Sequence, residues 1–101
     1  MIGMTLLATT LTERIVPVLK QTPVTKAYLF GSMVRGEAHE GSDVDVLVEA
    51  PVKGFSLLDL AGLIADLTEV CGRKVDVVLA DSISKYIRPY VEREKVLFYE
   101  R

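Results

Sequence analysis

At 101 residues the chain has the length of one ordinary domain, 1–101, with a single core and no room for a separate substrate domain. Half of the residues are apolar and 26% are charged, with 7 Gly, 4 Pro and 1 Cys, which excludes a disordered chain, a collagen-like repeat and a disulfide miniprotein. A net charge of −2 carries no electrostatic footprint for direct binding to nucleic acid.

The first segment, MIGMTLLATTLTE, has no basic stretch before its apolar residues and reads as a helix lead-in, not a signal peptide. No apolar run is long enough to cross a bilayer, so no membrane contact is expected and the cytoplasm is the expected compartment. Thr10-Leu11-Thr12-Glu13 has the form of a capping box, predicting a helix from there to Lys20 that Pro17 kinks or shortens. Lys26 to Phe30 is a short apolar and aromatic run ending at Gly31, which predicts a buried strand. Ser32 to Glu37 suits a helical turn and Ala38 to Ser42 a loop.

Asp43 to Val48 alternates. Val44, Val46 and Val48 share one face of a predicted strand, and Asp43, Asp45 and Leu47 the other. Pro51 to Gly54 is a turn. Ser56 with Asp59 caps a predicted helix to Cys71, with a stripe of Leu57, Leu60, Ala61, Ile64, Leu67 and Cys71 and a terminal Gly72. Cys71 reads as a small buried apolar residue, because the only histidine, His39, is far off in a loop. Lys74 to Leu79 is a third strand, Ile83 to Arg93 a last helix that Pro89 delays, and Val96 to Tyr99 a short edge strand. Helices and strands therefore alternate, which predicts a two-layer α/β domain. The helix between the second and third strands lets them run parallel.

The chemistry concentrates between Gly31 and Val48. Gly31-Ser32 closes a strand and opens a helical turn, offering amides and a hydroxyl to an anion. Eleven positions past Ser32 stands Asp43, then Asp45, two carboxylates on one strand face. Asp76 joins them if its strand is adjacent. Three carboxylates stay ionised together when a cation neutralises them, and hard oxygen ligands beside phosphate favour Mg²⁺. For phosphate and aspartates to meet, the first two strands must be antiparallel, so the sheet is predicted mixed.

Gly-Ser, ten residues, then Asp-x-Asp resembles the nucleotidyltransferase superfamily with the DNA polymerase β-like fold. The fuller pattern, GS-x-x-RG followed by SD-x-D-x-x-V, is similar to its minimal nucleotidyltransferase branch, whose members are often antitoxins paired with HEPN-domain toxins. Val34 departs from the small residue usual in that branch. The resemblance spans Tyr28 to Tyr99 and implies a small mixed sheet with helices mainly on one face. It also implies transfer of a nucleoside monophosphate, AMP from ATP, with two Mg²⁺ ions. By position, Gly31 and Ser32 would hold the β/γ-phosphates. Asp43 and Asp45 would bind both metals. Asp76 would bind the metal facing the acceptor and take its proton. Arg35 would reach the triphosphate, although a salt bridge to Glu37 or Glu40 suits it nearly as well.

Other conspicuous residues have plainer readings. His39 is a solvated loop residue, Ser42 a loop cap, Tyr86, Tyr90 and Tyr99 packing or interface residues, and Glu92-Arg93-Glu94-Lys95 a solvated helix end. Three functions stay open: an adenylyltransferase acting on a tyrosine of a HEPN-type toxin, an antitoxin that masks its toxin without chemistry, and an enzyme with a small-molecule acceptor. If helices cover only the Val44/Val46/Val48 face, the opposite face leaves Leu47 and Val78 open beside the aspartates. A second copy or a toxin subunit would then roof it.

Overall fold

The computed structural model describes residues 5–39, 41–51 and 53–101. Helix α1 (Leu6–Leu19) opens on Thr5, whose hydroxyl accepts from the Ala8 amide at 3.1 Å. The cap is thus Thr5, not Thr10. Its buried stripe, Ala8, Leu11, Ile15 and Leu19, begins before Thr10, and the helix must begin earlier to bury it. Thr12 instead donates back to the Thr9 carbonyl inside the helix at 2.9 Å. Pro17 neither ends nor shortens α1, which continues through it to Leu19. The first four residues of the lead-in lie outside the described residues.

Strand β1 (Lys26–Phe30) is followed by the single turn α2 (Ser32–Arg35) and strand β2 (Val44–Glu49). Helix α3 (Leu57–Cys71) has the expected Ser56/Asp59 capping box and ends on Gly72 at φ 66°, a left-handed conformation glycine adopts without strain. Strand β3 (Val75–Leu79), a 3₁₀ turn (Ala80–Ser82), helix α4 (Arg88–Glu94) and strand β4 (Val96–Glu100) complete the order. Pro89 stands in the first turn of α4, where its missing amide costs nothing.

The four strands form one sheet in the order β3-β2-β1-β4. β1 pairs antiparallel with both β2 and β4, and β2 pairs parallel with β3, so the sheet is mixed as expected. One face packs on α1 and α3. There Ala27, Leu29, Val44, Val46, Val48 and Val75 join Leu11, Ile15, Leu19 and Leu67 in the main core. The stripe of α3 is turned from the expected one: Leu63, Leu67 and Cys71 are buried, whereas Leu57 is 80% exposed. Leu57, Leu58, Leu60, Ala61, Leu63 and Ile64 offer apolar residues almost all round the helix, so its sequence leaves the phase ambiguous. Burial of Cys71 pushes its thiol up, in keeping with its apolar role.

The opposite face is not open. The chain returns across it after β3, and Ile83 and Val91 cover Leu47, which is only 1% exposed, with Tyr28, Phe30 and Val78 packed alongside. The expected uncovered Leu47 is therefore corrected. An apolar residue central in the sheet is buried by the chain's own return segment, Ile83 together with Val91 of α4, without need of a second copy.

Candidate active site

Antiparallel pairing sets Phe30 opposite Asp45, so the end of β1 and the start of β2 meet. Gly31 follows at once, at φ 79° and ψ −152°. A side chain there would be strained by the backbone, and its Cβ would overlap the Asp45 carboxylate. Glycine is thus required by the closeness of Asp45 itself. The Val34 and Arg35 amides both donate to the Gly31 carbonyl, at 3.0 and 3.1 Å. Within the turn this leaves the Ser32 and Met33 amides without an acceptor.

Parallel pairing sets Asp45 opposite Asp76 on adjacent strands. Both side chains are on the face of Leu47 and Val78, away from the main core. Burial, then Asp76 and Asp43, push the Asp45 carboxyl above its ordinary value, and the positive charge of Arg35 opposes the rise. Asp43 lies one residue before β2, half exposed, with Lys74 Nζ 4.0 Å away. Gly31, Ser32, Asp45 and Asp76 are thus gathered at one end of the sheet, with Asp43 at their rim.

The donor set suits a hard cation: oxygen ligands only, two of them in register, at a carboxyl already strained by its like-charged neighbours. Among the described residues no three acidic, His or Cys side chains converge as a ready ligand set. Asp43 faces Lys74 and would have to turn inward to complete one.

Arg35 lies at the end of the turn. Its Nε donates to Glu37 at 2.9 Å, and its Nη1 to both Glu94 carboxylate oxygens at 3.0 Å. The alternative partner Glu40 lies outside the described residues. Glu94 also accepts a hydrogen bond from the Gly31 amide. Its side chain is 24% exposed, so its assignment to a solvated helix end is corrected. Lys95 is likewise half-buried, with its ammonium 3.0 Å from Glu92 and over the Tyr28 ring. The signal for Glu94 was helical spacing, since Ile87, Val91 and Glu94 fall on one face of α4.

An apolar cleft of about 420 Å³ adjoins the aspartates, lined in part by Phe30, Val78, Ile83, Ile87 and Val91 with Asp45 and Asp76. A larger one, about 610 Å³, lies at the other end of β2 beside Glu49, Asp81 and Arg88 and holds none of the expected site residues. His39 and Ser42 shape the loop before β2: the His39 amide donates to Ser42 Oγ at 2.9 Å, and Arg73 reaches the His39 carbonyl at 3.1 Å. Tyr99 is core, whereas Tyr86 and Tyr90 are exposed.

The turn at Gly31 thus meets paired strand carboxylates on a small mixed sheet. The sequence profile of the nucleotidyltransferase domain matches residues 12–98, and the chain belongs to that family and is a nucleotidyltransferase. A Methanocaldococcus jannaschii protein, MJ0435, assigned by inference as a protein adenylyltransferase, is 42% identical over 84 residues, 83% of this chain and 89% of its own. The protein adenylyltransferase MntA of Thermococcus cleftensis is 45% identical over 71 residues, covering 67% of this chain and 68% of its own. Among solved structures, a toxin–antitoxin crystal structure with AMP-PNP superposes with a TM-score of 0.77 at 24% identity, over 89% of this chain and 73% of that one. At that identity the likeness speaks for the fold. No helix among the described residues is long and apolar enough to cross a membrane.

Proposed function

We propose that the protein transfers AMP from ATP to a tyrosine hydroxyl of a HEPN-type toxin and acts as its antitoxin. The observation that carries this reading is the meeting of Gly31 and Ser32 with the in-register pair Asp45 and Asp76, beside an apolar cleft. The names of the two relatives support the protein acceptor, and the AMP-PNP complex supports the nucleotide and the toxin partner.

Gly31, Ser32 and Arg35 bind the β- and γ-phosphates, with backbone close to the anion and one fixed positive charge. Asp45 and Asp76, with Asp43 turned from Lys74, would hold two Mg²⁺ ions, which supply charge neutralisation and polarisation of the α-phosphate. The aromatic ring of the acceptor enters between Phe30, Ile83, Ile87 and Val91, and its hydroxyl reaches the aspartates. Asp76 takes the hydroxyl proton. The acceptor oxygen forms a bond to the α-phosphorus, the bond from phosphorus to the bridging oxygen breaks, and pyrophosphate leaves. Positioning and electrostatic stabilisation together supply the acceleration in such a displacement.

Mass spectrometry of the cognate toxin after incubation with this protein, Mg²⁺ and ATP tests the proposal. One or more AMP additions on tyrosine are expected with wild type and none with Asp45→Asn. A neutralised toxin that carries no addition would leave a masking antitoxin instead. AMP transfer to a free small molecule with an untouched toxin would also overturn the proposal.

A further inference from the structure

Glu94 holds two of the three groups assigned above to phosphate. Its carboxylate accepts from the Gly31 amide and, through both oxygens at 3.0 Å, from Arg35 Nη1. A carboxylate on a backbone amide and a guanidinium is the same chemistry as a phosphate on them: an anion with several acceptor oxygens against fixed donors. Glu94 also brings its charge toward Asp45, where it adds to the crowding of like charges. Its helix is not free to leave entirely, because Val91, on the same face, is 8% exposed and packed on Leu47.

We propose that Glu94 is a resident competitor for the nucleotide: its carboxylate fills the phosphate site in the free protein and is displaced when the triphosphate binds. The proposal rests on the reading of Gly31 and Arg35 as phosphate ligands. The apparent affinity for nucleotide is reduced by the fraction of molecules in which Glu94 is seated. Displacement also frees a carboxylate at the end of the helix that walls the acceptor cleft through Ile87 and Val91. Nucleotide entry and the shape of that cleft are thereby joined through one short helix.

Glu94→Gln keeps the shape and removes the charge. It is expected to bind MgATP about tenfold more tightly by calorimetry, the scale of one charge-assisted hydrogen bond. Removal of any nearby negative charge would help an anion, so Glu37→Gln is the control. Glu37 meets Arg35 Nε at 2.9 Å but makes no contact with the Gly31 amide, and its neutralisation is expected to change affinity less than about threefold. In wild type, MgATP is expected to move the Glu94 side-chain carboxyl carbon resonance to that of a free carboxylate, a readout that needs no variant. An unmoved Glu94 resonance, or equal gains from the two variants, overturns the competitor while leaving the phosphate reading in place if the Gly31 amide still responds to MgATP. A Gly31 amide that ignores MgATP overturns both.

Discussion

Asp45 is held at a cost. Its carboxyl is pushed up by burial first and by Asp76 and Asp43 next. At a pH below the ordinary aspartate value it is protonated whether the chain is folded or not, and it costs nothing. As the pH rises through that value toward the higher native one, the unfolded chain releases the proton more readily, and stability falls. Asp45→Asn is therefore expected to raise the melting temperature at pH 7 by a few degrees, roughly 4–8 °C for each kcal/mol relieved in a domain of this size. The gain should vanish near pH 3, below the ordinary aspartate value of about 3.9. Melting curves at the two pH values check it, and a variant less stable than wild type at pH 7 would count against the crowding. Of the expected site residues, Gly31, Ser32 and Asp45 were legible because strand alternation and the antiparallel pairing of β1 with β2 follow from nearby sequence, whereas Asp76 joined them only through the long-range pairing of β2 with β3. Glu94 was not legible, because its contact with Gly31 bridges elements 63 residues apart, and helical spacing sets it on the face of Val91 without naming Gly31 as its partner.

At the scale of elements, strands were the most legible. Alternating valines in β2 name both faces, and β1 ends where Gly31 requires. Helix phase was less so, as in α3, and the start of α1 turned on which of two threonines preceded the first buried residue, Ala8. The largest correction concerns α4. Seven residues with Pro89 in the first turn make a weak helix in isolation. It is held by packing on the sheet, which no local pattern announces. Leu47 measures that packing. Leu47→Ala is expected to cost about 2–5 kcal/mol in chemical denaturation, the range for a buried leucine. Val46, on the other face, is equally buried, so Val46→Ala should also destabilise; only Leu47→Ala should loosen α4, seen as faster amide exchange at Val91 and Lys95, whose amides close that helix. Unchanged exchange there would show that α4 holds without Leu47.

For the whole molecule, the proposed function has nucleotide and cation act on one charge cluster. A triphosphate at Gly31 brings negative charge toward Asp45 and Asp76, and a divalent ion alone meets only part of a ligand set. Mg²⁺ and ATP together are thus expected to raise the melting temperature by more than the sum of their separate effects. A thermal-shift series with each alone and with both checks it, and strictly additive shifts would argue against a shared site.

The in-register pairing of Asp45 with Asp76 has a further consequence, for the fidelity of folding. The valines that fill the core and the aspartates that face the cleft obey the same two-residue period, on both β2 and β3. A slip of one residue in either strand would drive a carboxylate into the apolar layer and expose a valine in its place. Such a misaligned chain would be penalised at once by desolvation of the charge, long before any substrate arrived. Selection for a sound core therefore also guards the facing of the site: a chain that folds stably has, by that fact, turned both aspartates to the cleft side.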